Sequence, residues 1–418
     1  MNQKDLSLNS SQQLHESDSS RVTDVLRKLL IQVLEHASEG HFLLKENDRV
    51  IAEVGNRNDP LQAEVNILDA KVYARALLGG NTAAGEAFVD GWWTSPDITS
   101  VTRFFARNLG MMDYWGSRFG WLLKPVSIAR SLLRANSTKQ AKRNILAHYD
   151  LGNELYEAFL DKRMQYSSAI YETSDQSLEA AQEAKLRRLC EQLALNEDDH
   201  LLEVGSGWGG LAIFAASNYG CKVTTTTISD AQYSHASAAI AEAGLEDRIE
   251  LLNQDYRLLE GKYDKIVSVE MIEAVGKRYL PGFFRKLDTL LKPGGKLMLQ
   301  AITIADQRFA SYSRSEDFIQ KHIFPGGFLP SLSMMTDLLA KQTDMVVRDV
   351  KDIGIDYAHT LAAWRENFQQ QKAELASKGY DEKFANLWVY YLGYCEGGFL
   401  ERRISTVQLL ASKSPHRV

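Results

Sequence analysis

The chain has 418 residues, more than the roughly 100 to 200 of an ordinary domain, so we expect two domains. Hydrophobic residues make up 44 % of it and charged residues 24 %, which excludes the compositions of a disordered chain, a collagen and a bundle of membrane-spanning helices. The formal net charge is −6 and the sequence has no helix-turn-helix, zinc-finger or RNP-type motif, so nucleic acid is not an expected partner.

The N-terminal segment predicts a protein that stays in the cytoplasm. It begins MNQKDLSLNS, without the basic and apolar regions of a signal peptide, and no run of about 18 apolar residues follows. Residues 1–20 are rich in Ser, Gln and Asp, which predicts a disordered tail. Cys190, Cys221 and Cys395 form no CxxC pair, so we expect neither a disulfide framework nor a zinc site.

A first domain, with its linker, is predicted for residues 21–135. It opens with an amphipathic helix pattern in VLRKLLIQVLEH and includes the aromatic segment GEAFVDGWW. The stretch 114–149 contains no Asp or Glu, whereas Trp and Leu side chains alternate there with basic ones, namely Arg118, Lys124, Arg130, Arg134, Lys139, Lys142 and Arg143. An anionic membrane surface attracts such a stretch, although a solvated linker is an alternative explanation.

The second domain, residues 140–418, is predicted to alternate strands and helices. Helical spacing covers residues 178–195, 208–220, 230–244 and 278–291, and the last of these stops at KPGG. Strand patterns cover residues 201–205, 221–229, 248–255, 263–271 and 295–304. This alternation predicts an α/β fold with a doubly wound parallel sheet and ligands at the carboxyl ends of its strands. The segment 306–344 has few strand signals and is interpreted as an insertion over the pocket.

A glycine-rich turn follows the first predicted strand of this domain. The segment EVGSGWGG places Gly205, Gly207 and Gly209 where a ligand can approach the backbone and the N-terminus of a helix. The spacing is GxGxG rather than GxGxxG and no basic residue stands near for a phosphate, which favours S-adenosylmethionine.

The next strands supply further candidate contacts for this cofactor. The strand after the turn ends in TTTTISDAQ without the acidic residue that usually holds the ribose, so Thr227, Ile228 and Gln232 are expected to position the cofactor. After the third strand, Asp255 and Tyr256 are candidates for the edge and face of the adenine. Tyr256 is equally compatible with an ordinary core position.

Several segments together resemble the cyclopropane fatty acid synthase family. They are HYDLGNELY, MQYSSAIY and FIQKHIFPGGFLPS, taken with EVGSGWGG and VEMIEAVG, and the resemblance covers roughly residue 67 to the C-terminus. It implies a Rossmann-like methyltransferase domain after a small, mainly helical, lipid-binding N-terminal domain, often in a homodimer. It also implies an enzyme that adds a methylene unit to the cis double bond of an unsaturated phospholipid acyl chain, working at the membrane surface.

The resemblance also implies roles for individual residues. It assigns S-adenosylmethionine contacts to seven residues, which are Tyr166, Ser167, Gly205, Gly207, Thr227, Ile228 and Gln232. It assigns a bicarbonate ion to five more, which are Ser168, Glu273, Gln300, Ile302 and Tyr357.

Three positions depart from the best-known bacterial pattern of that family. Ser168 stands where the pattern has Cys, Gln300 stands where it has His, and Ala274 rather than His follows Glu273. The sequence is in these respects similar to the branch that includes plant cyclopropane synthases. Neither Ser nor Gln titrates near neutral pH, so a proton shuttle through imidazole at these positions is excluded.

The implied chemistry needs a dry aromatic pocket and a base. Methyl transfer to an alkene leaves a carbocation, which aromatic faces stabilise by about 2 kcal/mol each in a desolvated site. Phe324, Phe328 and the aromatic segment 387–394 are candidates for that pocket, although a helix with this spacing is more often ordinary core. Ring closure then needs a proton acceptor, for which we expect bicarbonate oriented by Glu273 and Tyr357.

Two other products are compatible with the same sequence. Loss of a proton from a chain carbon would give a methylene- or methyl-branched fatty acid, and a related scaffold could methylate the nitrogen of a small amine. A metal is not expected, because the histidines lack ligand spacing; examples are His148, His235, His322 and His359.

Overall fold

The computed structural model describes residues 21–110 and 152–414, which form two compact units. The first contains residues 21–110 together with Tyr380–Gly397, and the second contains the remaining described residues. The sequence placed Tyr380–Gly397 in the methyltransferase domain, whereas in the structure this segment packs within the first unit. The basic stretch 114–149 lies outside the described residues, as does the tail 1–20.

The first unit combines helices with a small sheet. Its elements are helix α1 (residues 21–34), strands β1 (His41–Glu46), β2 (Arg49–Gly55) and β3 (Gln62–Ile67), helix α2 (Lys71–Val89), strand β4 (Trp93–Thr94) and helix α3 (Ile98–Arg107). The strand order is β2-β1-β3-β4, with β1 and β3 parallel. The predicted helix in VLRKLLIQVLEH is confirmed, but the sheet was not anticipated.

Close backbone packing holds the returning segment against α3. A β-carbon on Gly397 would lie 2.8 Å from Thr102, and one on Gly393 would lie 2.9 Å from Ile98, so only glycine allows this approach. Thr99 adds a buried hydrogen bond of 2.8 Å from its hydroxyl to the Glu396 carboxylate. These contacts explain why the segment belongs to the first unit.

The second unit is built on a seven-stranded sheet in the order β10-β11-β9-β8-β5-β6-β7. Its strands are β5 (His200–Val204), β6 (Lys222–Thr227), β7 (Ile249–Asn253), β8 (Tyr263–Val269), β9 (Leu291–Ile304), β10 (Met345–Asp352) and β11 (Ile404–Lys413). Strands β5 to β9 pair in parallel, as predicted, whereas β11 runs antiparallel to both neighbours. The α/β class of the fold is confirmed, and the sheet is mixed rather than wholly parallel.

The helices of the second unit follow the predicted alternation. They are α4 (Asn153–Glu157), α5 (Leu178–Leu193), α6 (Gly210–Tyr219), α7 (Asp230–Glu242), α8 (Ile272–Val275), α9 (Leu280–Leu290), α10 (Asp306–Tyr312), α11 (Phe318–His322), α12 (Leu332–Gln342) and α13 (Gly354–Ser377), and α14 (Glu382–Leu400) belongs largely to the first unit. The segment 306–344 contains the three helices α10, α11 and α12, and KPGG lies within β9 instead of forming a turn. No helix in the described ranges is long and apolar enough to cross a membrane.

Two buried clusters cover the two faces of the sheet. Leu202, Ile266 and Leu299 face the cluster formed with α9 and α12, while Leu201, Val267 and Met298 face the cluster formed with α5 and α6. Neighbouring residues along each strand therefore point to opposite faces, and both faces are apolar. The polar groups of the site lie at the ends of the strands.

Candidate active site

The glycine-rich turn joins β5 to α6 at the carboxyl edge of the sheet. Gly205, Gly207 and Gly209 have φ angles of +100°, +50° and +92°, which L side chains rarely adopt. A β-carbon on Gly209 would lie 3.1 Å from Ala236, and one on Gly205 would lie 3.3 Å from Met271. One on Gly207 would meet no described atom within 4 Å. Of the three glycines, Gly207 is therefore the one where the space that a side chain would fill is open to a ligand.

The next strand end is held by a local hydrogen bond. The Thr227 hydroxyl donates to Gln232 Oε1 at 2.8 Å, and Ser229 caps the start of α7 by accepting from the Gln232 backbone N–H at 3.3 Å. Thr227 and Gln232 are buried, and Ile228 between them is half-buried. The geometry brings these three predicted residues to one strand end.

Asp255 and Tyr256 follow β7, and each has a structural role. The Asp255 carboxylate accepts from the Arg257 backbone N–H at 3.0 Å and forms an ion pair with the Arg257 side chain. The Tyr256 ring packs edge-on against Phe283 at 5.4 Å, and burial raises the pKa of its phenol to about 12. Tyr256 thus contributes to the core and also stands at the carboxyl edge.

A buried lysine holds the segment that contains Tyr166, Ser167 and Ser168. Lys185 on α5 donates to Gln165 Oε1 and to the Ser167 hydroxyl, both at 2.8 Å. Burial lowers the pKa of Lys185 to about 8, although nearby carboxylates act in the opposite direction. Sequence reasoning missed Lys185, because it falls within an ordinary amphipathic helix pattern.

Aromatic rings surround this segment. The Tyr166 ring lies 5.4 Å from Trp364 and 6.4 Å from Phe324, and Tyr357 lies 6.0 Å from Trp364. Phe328 packs against Phe309 in the cluster on the α9 side of the sheet. The segment 387–394 supplies core to the first unit, where Tyr390 contacts Phe88 at 5.6 Å.

The centre of the polar site is Glu270, which sequence reasoning did not single out. Its Oε1 accepts from the Ser168 backbone N–H at 2.9 Å and from Gln300 Nε2 at 2.8 Å, and its Oε2 accepts from the Tyr357 hydroxyl at 2.8 Å. Burial raises the pKa of Glu270, and these three donors oppose that shift. Three residues predicted to hold an external anion therefore converge on a carboxylate of the chain itself.

Glu273 lies one helical turn further along, at the start of α8. Its Oε1 accepts from the Ile302 backbone N–H at 2.5 Å, and its buried Oε2 has no hydrogen-bond partner among the described residues. Burial, followed by repulsion from Glu270, raises the pKa of Glu273 to about 8. This shift favours the protonated form of the Glu273 carboxyl group.

The Gln300 side chain is oriented from its other end. Its Oε1 accepts from Gln408 Nε2 at 2.9 Å, and Gln408 in turn accepts from Arg188 Nε at 2.9 Å. This chain of hydrogen bonds turns the Gln300 amide N–H groups toward Glu270 and toward the Ser168 carbonyl oxygen, 3.2 Å away. The Ser168 hydroxyl donates to the Ala169 carbonyl oxygen at 3.0 Å.

In the described part of the chain, the site consists of carboxyl, amide, hydroxyl and aromatic groups. No group of three or more His, Cys, Asp or Glu side chains there has the arrangement of a metal site. What the geometry offers is a pair of buried carboxyl groups, amide and hydroxyl donors and aromatic rings, all at the edge where the glycine-rich turn lies.

Comparison with known proteins shows the family of the chain. A family model for mycolic acid cyclopropane synthetase matches residues 136–409. Tuberculostearic acid methyltransferase UfaA1 of Mycobacterium tuberculosis is 40 % identical over 323 residues, or 75 % of each chain. Cyclopropane-fatty-acyl-phospholipid synthase of Escherichia coli K12 is 36 % identical over 358 residues, covering 85 % of this chain and 89 % of that one. Mycolic acid cyclopropane synthase CmaA1, solved with SAH and CTAB, superposes with a TM-score of 0.61 at 28 % identity over 65 % of this chain and 98 % of its own.

Proposed function

Since the chain belongs to the mycolic acid cyclopropane synthetase family of S-adenosylmethionine-dependent methyltransferases, we propose that it converts cis double bonds of phospholipid acyl chains into cyclopropane rings. The family fixes the coarser activity, a one-carbon transfer from S-adenosylmethionine. The phospholipid substrate and the ring product are the proposal. The Escherichia coli relative, named for this reaction and similar over most of both chains, supports them.

The observation that supports a ring-forming reaction best is the buried carboxyl pair, Glu270 and Glu273. Methylation of an amine nitrogen needs only a neutral lone pair. Ring closure on a hydrocarbon needs a proton acceptor in a site without water, because water would capture the carbocation. Two carboxyl groups, one with three donors and one with a pKa raised to about 8, stand at the carboxyl edge of the sheet.

The residues around that pair have distinct parts in the proposed reaction. S-adenosylmethionine, held at the glycine-rich turn and by Thr227, Ile228 and Gln232, would supply the electrophilic methyl group. The protein aligns the alkene with that group, and positioning of this kind can contribute about 7 to 11 kcal/mol. Tyr166 and Trp364, whose rings lie 5.4 Å apart, are the candidates to stabilise the positive charge.

The residues predicted to hold bicarbonate do not fit that anion. Gln300 Nε2 and the Tyr357 hydroxyl donate to Glu270, the Ile302 N–H donates to Glu273, and the Ser168 hydroxyl donates to a backbone carbonyl. An added anion among these groups would lie against the Glu270 carboxylate, and like charges at such distances repel strongly. We therefore derive no step through bicarbonate.

A second product has its own support. The relative with 40 % identity is named a tuberculostearic acid methyltransferase, so a methyl- or methylene-branched fatty acid is the alternative outcome of the same transfer.

Peripheral binding to the inner face of the membrane is part of the proposal and rests on the basic stretch 114–149, which lies outside the described residues. Homodimer formation is likewise a proposal. A phospholipid substrate is consistent with membrane binding and with a homodimer.

Product analysis tests the proposal. Purified protein is incubated with S-adenosylmethionine and vesicles of monounsaturated phospholipid, and the released fatty acids are examined by mass spectrometry and proton NMR. We expect high-field cyclopropane protons. Vinylic methylene or methyl-branch signals would move the protein to the second candidate, and the absence of any lipid product would contradict both.

A further inference from the structure

We propose that Glu270 is the proton acceptor for ring closure, so that the enzyme carries its own anion and works without bicarbonate. This inference rests on the proposed function, because it names the base for that reaction. It concerns a residue that neither the motifs nor the predicted anion site assigned.

The first argument is the geometry of the donors. A carboxylate and a bicarbonate present the same planar O–C–O group to hydrogen-bond donors. The Glu270 carboxylate receives the Ser168 N–H at 2.9 Å and the Gln300 amide and Tyr357 hydroxyl at 2.8 Å each. These are three of the five residues that the family resemblance assigned to the external ion. The side chain therefore occupies the position that the ion would need.

The second argument is the backbone at Glu270. Its φ angle is +49°, which is a conformation that glycine adopts readily and glutamate does not. The backbone N–H of Glu270 donates to the Gln300 carbonyl at 2.8 Å, which fixes this conformation immediately after β8. Strained non-glycine residues concentrate at functional sites, and the carboxylate is the feature that glycine could not provide.

The third argument separates the two carboxyl groups. Glu270 has three donors, which stabilise its ionised form, and the buried Lys185 also favours that charge. Glu273 has one backbone donor and a buried oxygen without a partner in the described chain. Repulsion between the two buried carboxyl groups disfavours ionisation of both, and the three donors favour placing the charge on Glu270. Glu270 is then the available base and Glu273 the protonated member of the pair.

The proposed step balances. The alkene π electrons form the new C–C bond to the methyl group, and the C–S electrons leave with sulfur, which gives S-adenosylhomocysteine and a carbocation on the chain. The Glu270 carboxylate takes one proton from the new methyl group. The electron pair of that C–H bond closes the ring on the cationic carbon. Glu270 becomes a neutral carboxylic acid and returns its proton to solvent before the next turnover.

The test compares bicarbonate dependence in three proteins, each assayed in buffer depleted of carbon dioxide and again with added bicarbonate. Wild-type turnover should be equal in both. Glu270→Gly should lose about 10²- to 10⁴-fold without bicarbonate, the usual contribution of a positioned base, and regain part of the loss when bicarbonate enters the vacated space. Glu270→Gln should be as impaired but not rescued, because its amide fills that space.

Controls separate a catalytic from a structural role. Glycine suits the positive φ, so Glu270→Gly should fold, and its S-adenosylmethionine affinity by calorimetry should match that of the wild type. Glu250→Gln, which changes an exposed carboxyl group hydrogen-bonded to Thr224, should leave turnover unchanged. Wild-type dependence on bicarbonate, or an unimpaired or unrescued Glu270→Gly, would overturn the assignment while leaving cyclopropane formation standing. A wild-type enzyme that yields no lipid product would instead remove the proposed function and this inference together.

Discussion

Tyr357 is the residue whose contribution to the site can be isolated by removing one atom. Its hydroxyl donates to Glu270 at 2.8 Å, while its ring stacks on Phe399 at 4.6 Å, so Tyr357→Phe removes the donor and keeps the packing. A hydrogen bond to a charged group contributes about 1.5 to 3 kcal/mol. We expect kcat/KM at pH 7 to fall about 10- to 100-fold, because the Glu270 anion loses one of its three donors.

The pH profile of Tyr357→Phe distinguishes this cause from general damage. Losing a donor to the ionised form raises the pKa of Glu270 further, so the acid limb of the profile should move to higher pH. The other groups facing Glu270, which are the Ser168 N–H, Gln300, Glu273 and Lys185, are unchanged. Tyr263→Phe, at the opposite end of β8, serves as the control. If the acid limb did not shift, the Tyr357 hydroxyl would not influence the ionisation of the catalytic base.

Glu203 provides a test of buried charge apart from catalysis. It is 3 % exposed on β5, where burial raises its pKa to about 8 against the opposing effects of Thr225 and Lys185. Because its pKa is raised in the folded protein, Glu203 keeps its proton there over a pH range in which it ionises in the unfolded chain. Its stabilising contribution is therefore complete below about pH 4.5 and is lost as pH rises through 8.

Replacing Glu203 by Gln should remove most of that pH dependence. The amide keeps an acceptor for the Thr225 hydroxyl but does not ionise. Between pH 6 and pH 9 the melting temperature of the wild type should fall more than that of Glu203→Gln. A difference of about 2 kcal/mol would appear as about 4 to 8 °C in thermal unfolding. Parallel curves would show that Glu203 is already ionised at neutral pH.

The sequence predicted a set of cofactor residues but did not single out Glu270, the carboxylate at the centre of the polar site. The glycine-rich turn and Thr227 are local features, legible from a few adjacent residues. Glu270 gains its role only through Ser168, Gln300 and Tyr357, which lie 102, 30 and 87 residues away in the chain. Residues so far apart in the chain form no local sequence pattern. Their convergence on Glu270 is visible only in the three-dimensional structure.

At the scale of elements, the turn between β5 and α6 contains one glycine that we expect to matter for packing and another that we expect to matter for ligand binding. A β-carbon on Gly209 would lie 3.1 Å from Ala236, whereas one on Gly207 would meet no described atom within 4 Å. Gly207→Ala should therefore cost only the positive-φ strain, about 1 to 2 kcal/mol, yet weaken S-adenosylmethionine binding by at least tenfold because the new methyl group meets the ligand. Calorimetric titration with S-adenosylhomocysteine, beside thermal unfolding, measures both effects.

A comparison with Gly209→Ala sharpens this prediction. That substitution adds a contact at 3.1 Å to the strain of φ +92°, so it should lower the melting temperature more than Gly207→Ala does. If Gly207→Ala bound the ligand as tightly as the wild type, the turn would not be a cofactor site.

Elements were predictable where hydrophobic periodicity decides them and unpredictable where long-range packing does. Strands β5 to β8 and helices α5 to α7 follow their patterns closely, since the strands are buried on both faces of the sheet and the helices pack one face against it. The return of Tyr380–Gly397 to the first unit depends on close contacts of Gly393 and Gly397 with α3, almost 300 residues earlier in the chain. The antiparallel direction of β11 is likewise a property of the assembled sheet, and its residues alone do not encode it.

At the scale of the whole molecule, the remaining question is how this protein would reach the phospholipid acyl chain that we propose as its substrate, since no helix in its described residues is long and apolar enough to cross a membrane. The basic, Trp- and Leu-containing stretch 114–149 is the candidate surface. Each Lys or Arg near an anionic bilayer contributes about 1 kcal/mol. Reversing Arg130 and Arg134 to Glu should therefore weaken binding to anionic vesicles by more than about 2 kcal/mol, or roughly 30-fold.

Vesicle sedimentation at low and high salt measures this effect, because screening shortens electrostatic attraction to about 3 Å at 1 M ionic strength. The wild type should bind anionic vesicles at low salt and dissociate at high salt, and the charge-reversed protein should bind weakly at both. Turnover of detergent-dispersed lipid provides the control, since it bypasses the surface and should be retained. Undiminished vesicle binding after charge reversal would identify the stretch as a solvated linker and place membrane recognition elsewhere in the chain.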